Sequence, residues 1–250
     1  DGSGLHLVAA AWSGRLYTSG DGGSTWTERS PAGPIDQRWQ TVVCDGDGSV
    51  VVAGASAGRL WISVDGGAAW REARPAGNDD ADWRGLSCSA DGKVLFVGNY
   101  NGRLYRSADT GVTWSELVPA GAGSRTWQGS ACDATGQIIV TGVEGGRLYV
   151  SSDGGSTWRE RQPAGDQNRN WSRFACSADG QTLLAADQAR LYLSADGGLT
   201  WNEQQPAGNK DVRWTVCLSG NGSLAVVGNY GAGRLYSCDV TSLACTLAVT

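Results

Sequence analysis

The residues best suited to recognition chemistry are the arginines: only Lys93 and Lys210 are lysines, leaving eighteen of the twenty basic side chains as planar guanidinium forks. Six of them stand in the same local context, G-R-L or A-R-L: Arg15, Arg59, Arg103, Arg147, Arg190 and Arg234. Three of the six have an aromatic residue three or four positions earlier: Trp12 before Arg15, Tyr100 (with Asn101) before Arg103, and Tyr230 (with Asn229) before Arg234. Near Arg59, Arg147 and Arg190 the corresponding residues are Ser56, Glu144 and Gln188, so those sites are expected to be weaker or empty. Five further aromatics, Trp39, Trp83, Trp127, Trp171 and Trp214, each close a segment that opens P-A-G. A guanidinium fork, short amides and an aromatic face are the chemistry of a sugar site: the polar groups satisfy hydroxyls and the ring packs on the apolar sugar face. The same residues also have a purely architectural use. The arginines can tie a turn to the neighbouring loop, and the tryptophans can pack between repeats.

Catalytic chemistry is poorly served. His6 is the single histidine, which leaves no Ser-His-Asp triad and no histidine-rich metal site. Asp45-Gly-Asp-Gly48 lacks the remaining ligands of a calcium loop. Paired carboxylates such as Asp79, Asp80 and Asp82 read as a solvated loop. The expectation is a non-enzyme with no catalytic residue, no metal and no cofactor. Net charge of −5 argues against a nucleic-acid partner, which requires clustered positive charge. No apolar run approaches the ~20 residues of a membrane span, and no charged-then-apolar leader opens the chain, so neither membrane insertion nor an uncleaved signal is expected.

The elements that position these residues follow from the period. Spacings between the six arginines are 44, 44, 44, 43 and 44 residues, a repeat of about four short strands, which predicts an all-β, six-bladed β-propeller in a single domain over residues 1–250. Residues 83–121 show the plan. Strand A starts at Trp83, strand B is the continuous apolar run Val94–Gly98, strand C is Arg103–Ser107, and strand D is Trp114–Val118, ending at Pro119. The D–A loops are then 31–39, 75–83, 119–127, 163–171 and 206–214, and with the B–C tips they share one face. Strands B, C and D occur six times, but strand A only five, so the first blade is expected to lack its own.

Strands C and D are joined by S-x-D-x-G-x-T-W and its variants: Ser19/Asp21/Trp26, Ser63/Asp65/Trp70, Ser107/Asp109/Trp114, Ser151/Asp153/Trp158 and Ser194/Asp196/Trp201. Asp accepts backbone N–H bonds across the loop, Gly supplies positive φ, and Trp covers the base of the hairpin. In these residues nearly the whole chain resembles the Asp-box (BNR) repeat of sialidases and many other propellers. The sialidase implication is not followed by the residues: there is no R-I-P motif, and the arginines recur too regularly for a one-off triad. Two other resemblances remain, to secreted propeller lectins and to the Asp-box propellers of photosystem assembly, which implies an arginine-rich face. The favoured expectation is a multivalent carbohydrate-binding protein taking glycans or glycoproteins at Trp12, Arg15, Tyr100, Asn101, Arg103, Asn229, Tyr230, Arg234 and the five loop tryptophans. The alternative is a scaffold with a protein partner.

The sixth hairpin keeps Ser237 and Asp239 but has Ala244 where Trp belongs. Cys238 and Cys245 flank it, and a disulfide between them is expected to replace the clamp and to place the protein outside the cell. Cys44, Cys88, Cys132, Cys176 and Cys217 are expected to be reduced and buried on strand A.

Overall fold

The computed structural model describes residues 1–208, 211–230, 233–240 and 244–249, except that the side chains of Tyr230, Ala244, Cys245 and Val249 also fall outside the description. The chain is all-β and divides into two compact units, Asp1–Val118 and Pro119–Thr250, each holding three antiparallel sheets.

In the first unit, Leu7–Ala10, Leu16–Ser19 and Thr27–Arg29 form a three-stranded sheet without the inner strand, matching the strand count of the sequence. The second sheet runs Gln37–Cys44, Val51–Ala55, Leu60–Ser63, Arg71–Ala73, and gains a fifth member when Trp12–Gly14 pairs with its first strand. The third is Trp83–Cys88, Leu95–Asn99, Leu104–Ser107 and Ser115–Leu117. In the second unit the sheets are Trp127–Cys132 to Arg159–Arg161, Arg173–Cys176 to Asn202–Gln204, and Arg213–Leu218 to Ala244–Val249. The inner strand of the fifth sheet starts at Arg173, two residues after Trp171, whereas those of the third and fourth start at the tryptophan itself; the preceding Ser172 N–H still reaches the Ala186 carbonyl at 3.0 Å.

Strand B is largely apolar where both of its faces are covered: Val51–Ala55, Ile139–Val143 and Leu183–Ala186 are buried at every position. The cores lie between successive sheets, for example Leu60, Ile62, Trp83, Leu95 and Val97 in the first unit, and Leu148, Val150, Trp171, Leu183 and Tyr192 in the second.

One face of the sixth sheet departs from this plan. Cys217 is exposed, not buried as expected, while Cys44, Cys88, Cys132 and Cys176 are half-buried free thiols. The second, third and fourth sheets carry a bulge that adds one residue between Trp and Cys, turning both to the same side. The sixth pairs without a shift, Trp214 against Asn229 and Cys217 against Val226, so its thiol points the other way, beside Leu224 and Val226, which are also exposed. Burial pushes the Cys176 thiol well up, with the Cys132 thiol adding to it, which keeps Cys176 protonated and inert.

Candidate functional site

The five C–D hairpins share one internal pattern of hydrogen bonds. Each Ser Oγ donates to the Asp Oδ1 at 2.7–2.8 Å and accepts the N–H of the second loop glycine at 2.7–2.9 Å. The Trp Nε1–H closes the loop on that glycine's carbonyl at 2.9–3.2 Å. Asp21, Asp109 and Asp153 are held down at about 2, chiefly by the Thr hydroxyl and then the Thr N–H that each accepts. Asp65 has Ala69 in place of Thr and is lowered mainly by the Ala69 N–H. These carboxylates act as clamps within their own hairpins. The second loop position requires positive φ, and Gly22, Gly66, Gly154 and Gly197 supply it; Thr110 adopts it at 56°.

The arginines of G-R-L follow the architectural reading. Arg15 Nε lies 3.0 Å from Asp36 and its guanidinium donates to the Gly33 carbonyl at 2.9 Å. Arg59 meets Asp80 at 2.9 Å and Glu72 at 3.6 Å. Arg147 meets Asp166 at 2.5 Å and Glu160 at 3.5 Å, and Arg190 meets Asp211 at 3.0 Å and Glu203 at 3.2 Å. Arg103 lies 3.4 Å from Glu116. Each joins strand D of its own sheet, and in four cases also the loop that follows.

The five loop tryptophans correct the expectation of aromatic ligand faces. Trp39, Trp83, Trp127, Trp171 and Trp214 are only 1–5 % exposed. Trp83, Trp127, Trp171 and Trp214 meet Tyr105, Tyr149, Tyr192 and Tyr236 edge-on or tilted, with centroids 5.5–6.4 Å apart. The reason is a glycine on the preceding strand B: a Cβ on Gly54 would come within 2.7 Å of the Trp83 Cβ, and one on Gly142 within 2.5 Å of that of Trp171. The indoles fill these hollows and are unavailable for stacking on a ligand.

Among the tip residues, Trp12 is open to solvent. Tyr100 is half-buried and covered by Arg84, whose guanidinium sits 4.1 Å from the ring centroid, rather than by Arg103. Asn101 is exposed at φ 56°, and Asn229 is buried. The Tyr230 side chain lies outside the described residues, as does that of Cys245, so the expected disulfide falls outside them too. The backbone nevertheless places Cys238 directly opposite Cys245, and Cys238 is not among the free thiols.

Within the second unit the structure brings together a group the sequence reading did not assemble. A cavity of about 550 Å³ is lined by Arg173, Arg213 and Arg234, with Gln128, Gln188 and Asn229, and no carboxylate is among its lining residues. Arg213 contacts Gln188 Oε1 at 3.5 Å, whereas Arg234 has no polar partner among the described residues. Only Arg234 belongs to the repeated motif. Arg173 stands where the second, third and fourth repeats have Thr41, Gly85 and Gly129, and that break in the repeat was the available signal.

No family model matches the chain, and no curated protein matches it. Among solved structures, a YCF48 bound to D1 peptide is 16 % identical, with 97 % of this chain and 76 % of that one covered and a TM-score of 0.70. The β-propeller domain of Cps50 (Swd1) from Myceliophteria thermophila is 12 % identical over 98 % and 83 % of the two chains, with a TM-score of 0.73. The GH74 xyloglucanase from Xanthomonas campestris is 20 % identical, covering 94 % of this chain but 43 % of its own, with a TM-score of 0.67. At such identities the likeness fixes the architecture and nothing of the chemistry: the chain folds as a β-propeller.

Proposed function

We propose that this chain is a non-catalytic propeller that binds a protein partner, through an acidic segment seated in the cavity of Arg173, Arg213 and Arg234. The observation that carries this reading is three guanidinium groups around one cavity without a carboxylate among its lining residues. Such a cluster in a chain of net charge −5 is a local feature, and arginine forks take carboxylates in bidentate geometry. The peptide-bound YCF48 is in keeping with it. The glycan reading loses five of its eight expected rings, since the loop tryptophans are packed inside while Trp12 stays exposed. We retain the Asp-box assignment for the five clamped hairpins and infer the Cys238–Cys245 disulfide, on which an extracellular location rests.

The test is calorimetric titration of the intact chain with a hexa-aspartate peptide, alongside a glycan array and a xyloglucan hydrolysis assay. Binding that weakens about tenfold in Arg173→Gln and again in Arg213→Gln supports the reading. Glycan binding unaffected by both variants returns the lectin, and hydrolysis returns an enzyme.

A further inference from the structure

The wall of this cavity at Gly228, Gly233 and Leu235 has counterparts in the first, second, fourth and fifth repeats, and in each of these four a tryptophan occupies it. In the second repeat Gly54 registers against Leu60, and Trp83 packs over the glycine while its Nε1–H donates to the Gly58 carbonyl at 3.1 Å. In the first, Trp39 packs with Ala10 and Leu16 and donates to the Gly14 carbonyl at 3.1 Å. In the fourth, Trp171 lies over Gly142 beside Leu148, and in the fifth, Trp214 packs with Ala186 and Leu191. Gly228 registers against Leu235 in the same way, yet among the described residues no indole comes within 4 Å of a Cβ placed on it. The consequence shows in the leucine. It is 0–1 % exposed in the first five repeats and 41 % exposed at Leu235.

The charged half of the pattern is open as well. In three repeats the carboxylate that engages the strand-C arginine stands three residues before the tryptophan that fills the hollow: Asp36 and Trp39, Asp80 and Trp83, Asp211 and Trp214. D-x-x-W is thus a two-point plug, with the acid on the arginine of G-R-L and the indole on its leucine and glycine. Arg234 is exposed and has neither acid among the described residues.

We infer that Gly228, Gly233 and Leu235 form an indole socket and Arg234 its carboxylate clamp, so that the second unit binds in trans an extended segment carrying Asp and Trp three residues apart. This deepens the proposed function and rests on it: the remaining arginines attract the acidic partner, and the socket selects its tryptophan. Charge complementarity and the chain's own plugs define the occupant. A Trp three residues after Asp places ring and carboxylate as Trp83 and Asp80 place them over Leu60 and Arg59.

The probe is a labelled peptide of the sequence Asp80–Leu86, DADWRGL, followed by fluorescence anisotropy on the intact chain. Saturable binding is expected. It should fall about tenfold or more when Ala replaces the peptide Trp, when Asn replaces its first Asp, and in Arg234→Gln. Gly228→Leu, which fills the hollow, should abolish it, with circular dichroism confirming the fold; Arg234→Gln at an exposed position serves where Gly228→Leu fails to fold. Equal binding of the peptide with Ala for Trp overturns the socket. If hexa-aspartate still binds in that case, the acidic-partner reading stands without the socket; if neither peptide binds, both fall. A concentration-dependent dimer that Arg234→Gln dissolves, with no peptide bound, assigns the socket to a second copy and overturns the proposal.

Discussion

The second and sixth repeats share the tripeptide G-R-L but use it in opposite ways. Arg59 is held between Asp80 and Glu72, and Leu60 is sealed beneath Trp83. Arg234 and Leu235 face solvent. The tripeptide and the pairing of glycine with leucine are alike. What differs is the partner: strand D offers Glu72 opposite Trp61 but Leu247 opposite Tyr236, and Trp83 arrives from the following loop in one case while nothing among the described residues arrives in the other. A repeated motif is therefore half of an interaction, and its role depends on whether the chain also supplies the other half.

The sharpest way to break this comparison is to truncate both leucines. Leu60→Ala should cost about 2–5 kcal/mol in urea unfolding, and Leu235→Ala under about 1 kcal/mol, because only the first leaves a cavity. Similar costs would show that the sixth socket is filled in solution. The hairpin clamps give the next contrast. Cys238→Ser should cost about 2–3 kcal/mol in the sixth repeat if the disulfide closes it. Alkylation without reduction should then label five thiols; seven labels would remove the bond. Ser151→Ala should cost about 1–3 kcal/mol, since the buried Gly155 N–H loses its acceptor.

Thr110→Gly should stabilise by about 1 kcal/mol, because a β-branched residue at positive φ is strained where four other hairpins carry glycine. A neutral result in a thermal melt would mean that the contacts of Thr110 compensate. Asp80→Asn should change stability by less than about 1 kcal/mol, its carboxylate being well exposed, while leaving Arg59 with Glu72 alone.

Acid gives the smallest and most distributed effect. Asp21, Asp109 and Asp153 have folded values near 2, below the ordinary 3.8, so their stabilising contribution is complete above about pH 4 and disappears as pH falls through about 2. Stability measured down that range should decline less in Asp153→Asn than in the parent chain. An equal decline would assign the acid sensitivity to other groups.

The period, the strand count and the hairpin clamps were legible because each depends on contacts within a few residues: Ser, Asp, Gly and Trp of one hairpin bind one another. The missing inner strand of the first sheet could be counted for the same reason. The site was misread where one residue type suits both exposure and burial. Trp83 or Trp171 can stack on a sugar or fill a hollow, and only the glycines of the preceding strand, distant in sequence, decide for the hollow. Cys217 was misread because a missing bulge, a backbone event, sets which face its thiol takes. Arg173 was passed over because it interrupts the repeat, and Arg213 because it stands outside the G-R-L motif, just before a loop tryptophan as Arg38 does. Sequence alone determined a β-propeller of clamped repeats, since periodic local bonding is written in the order of residues. Tertiary structure alone decided which arginines also meet a loop carboxylate and which line a cavity, since Asp36, Asp80, Asp166 and Asp211 reach their arginines only through the folding of the following loop.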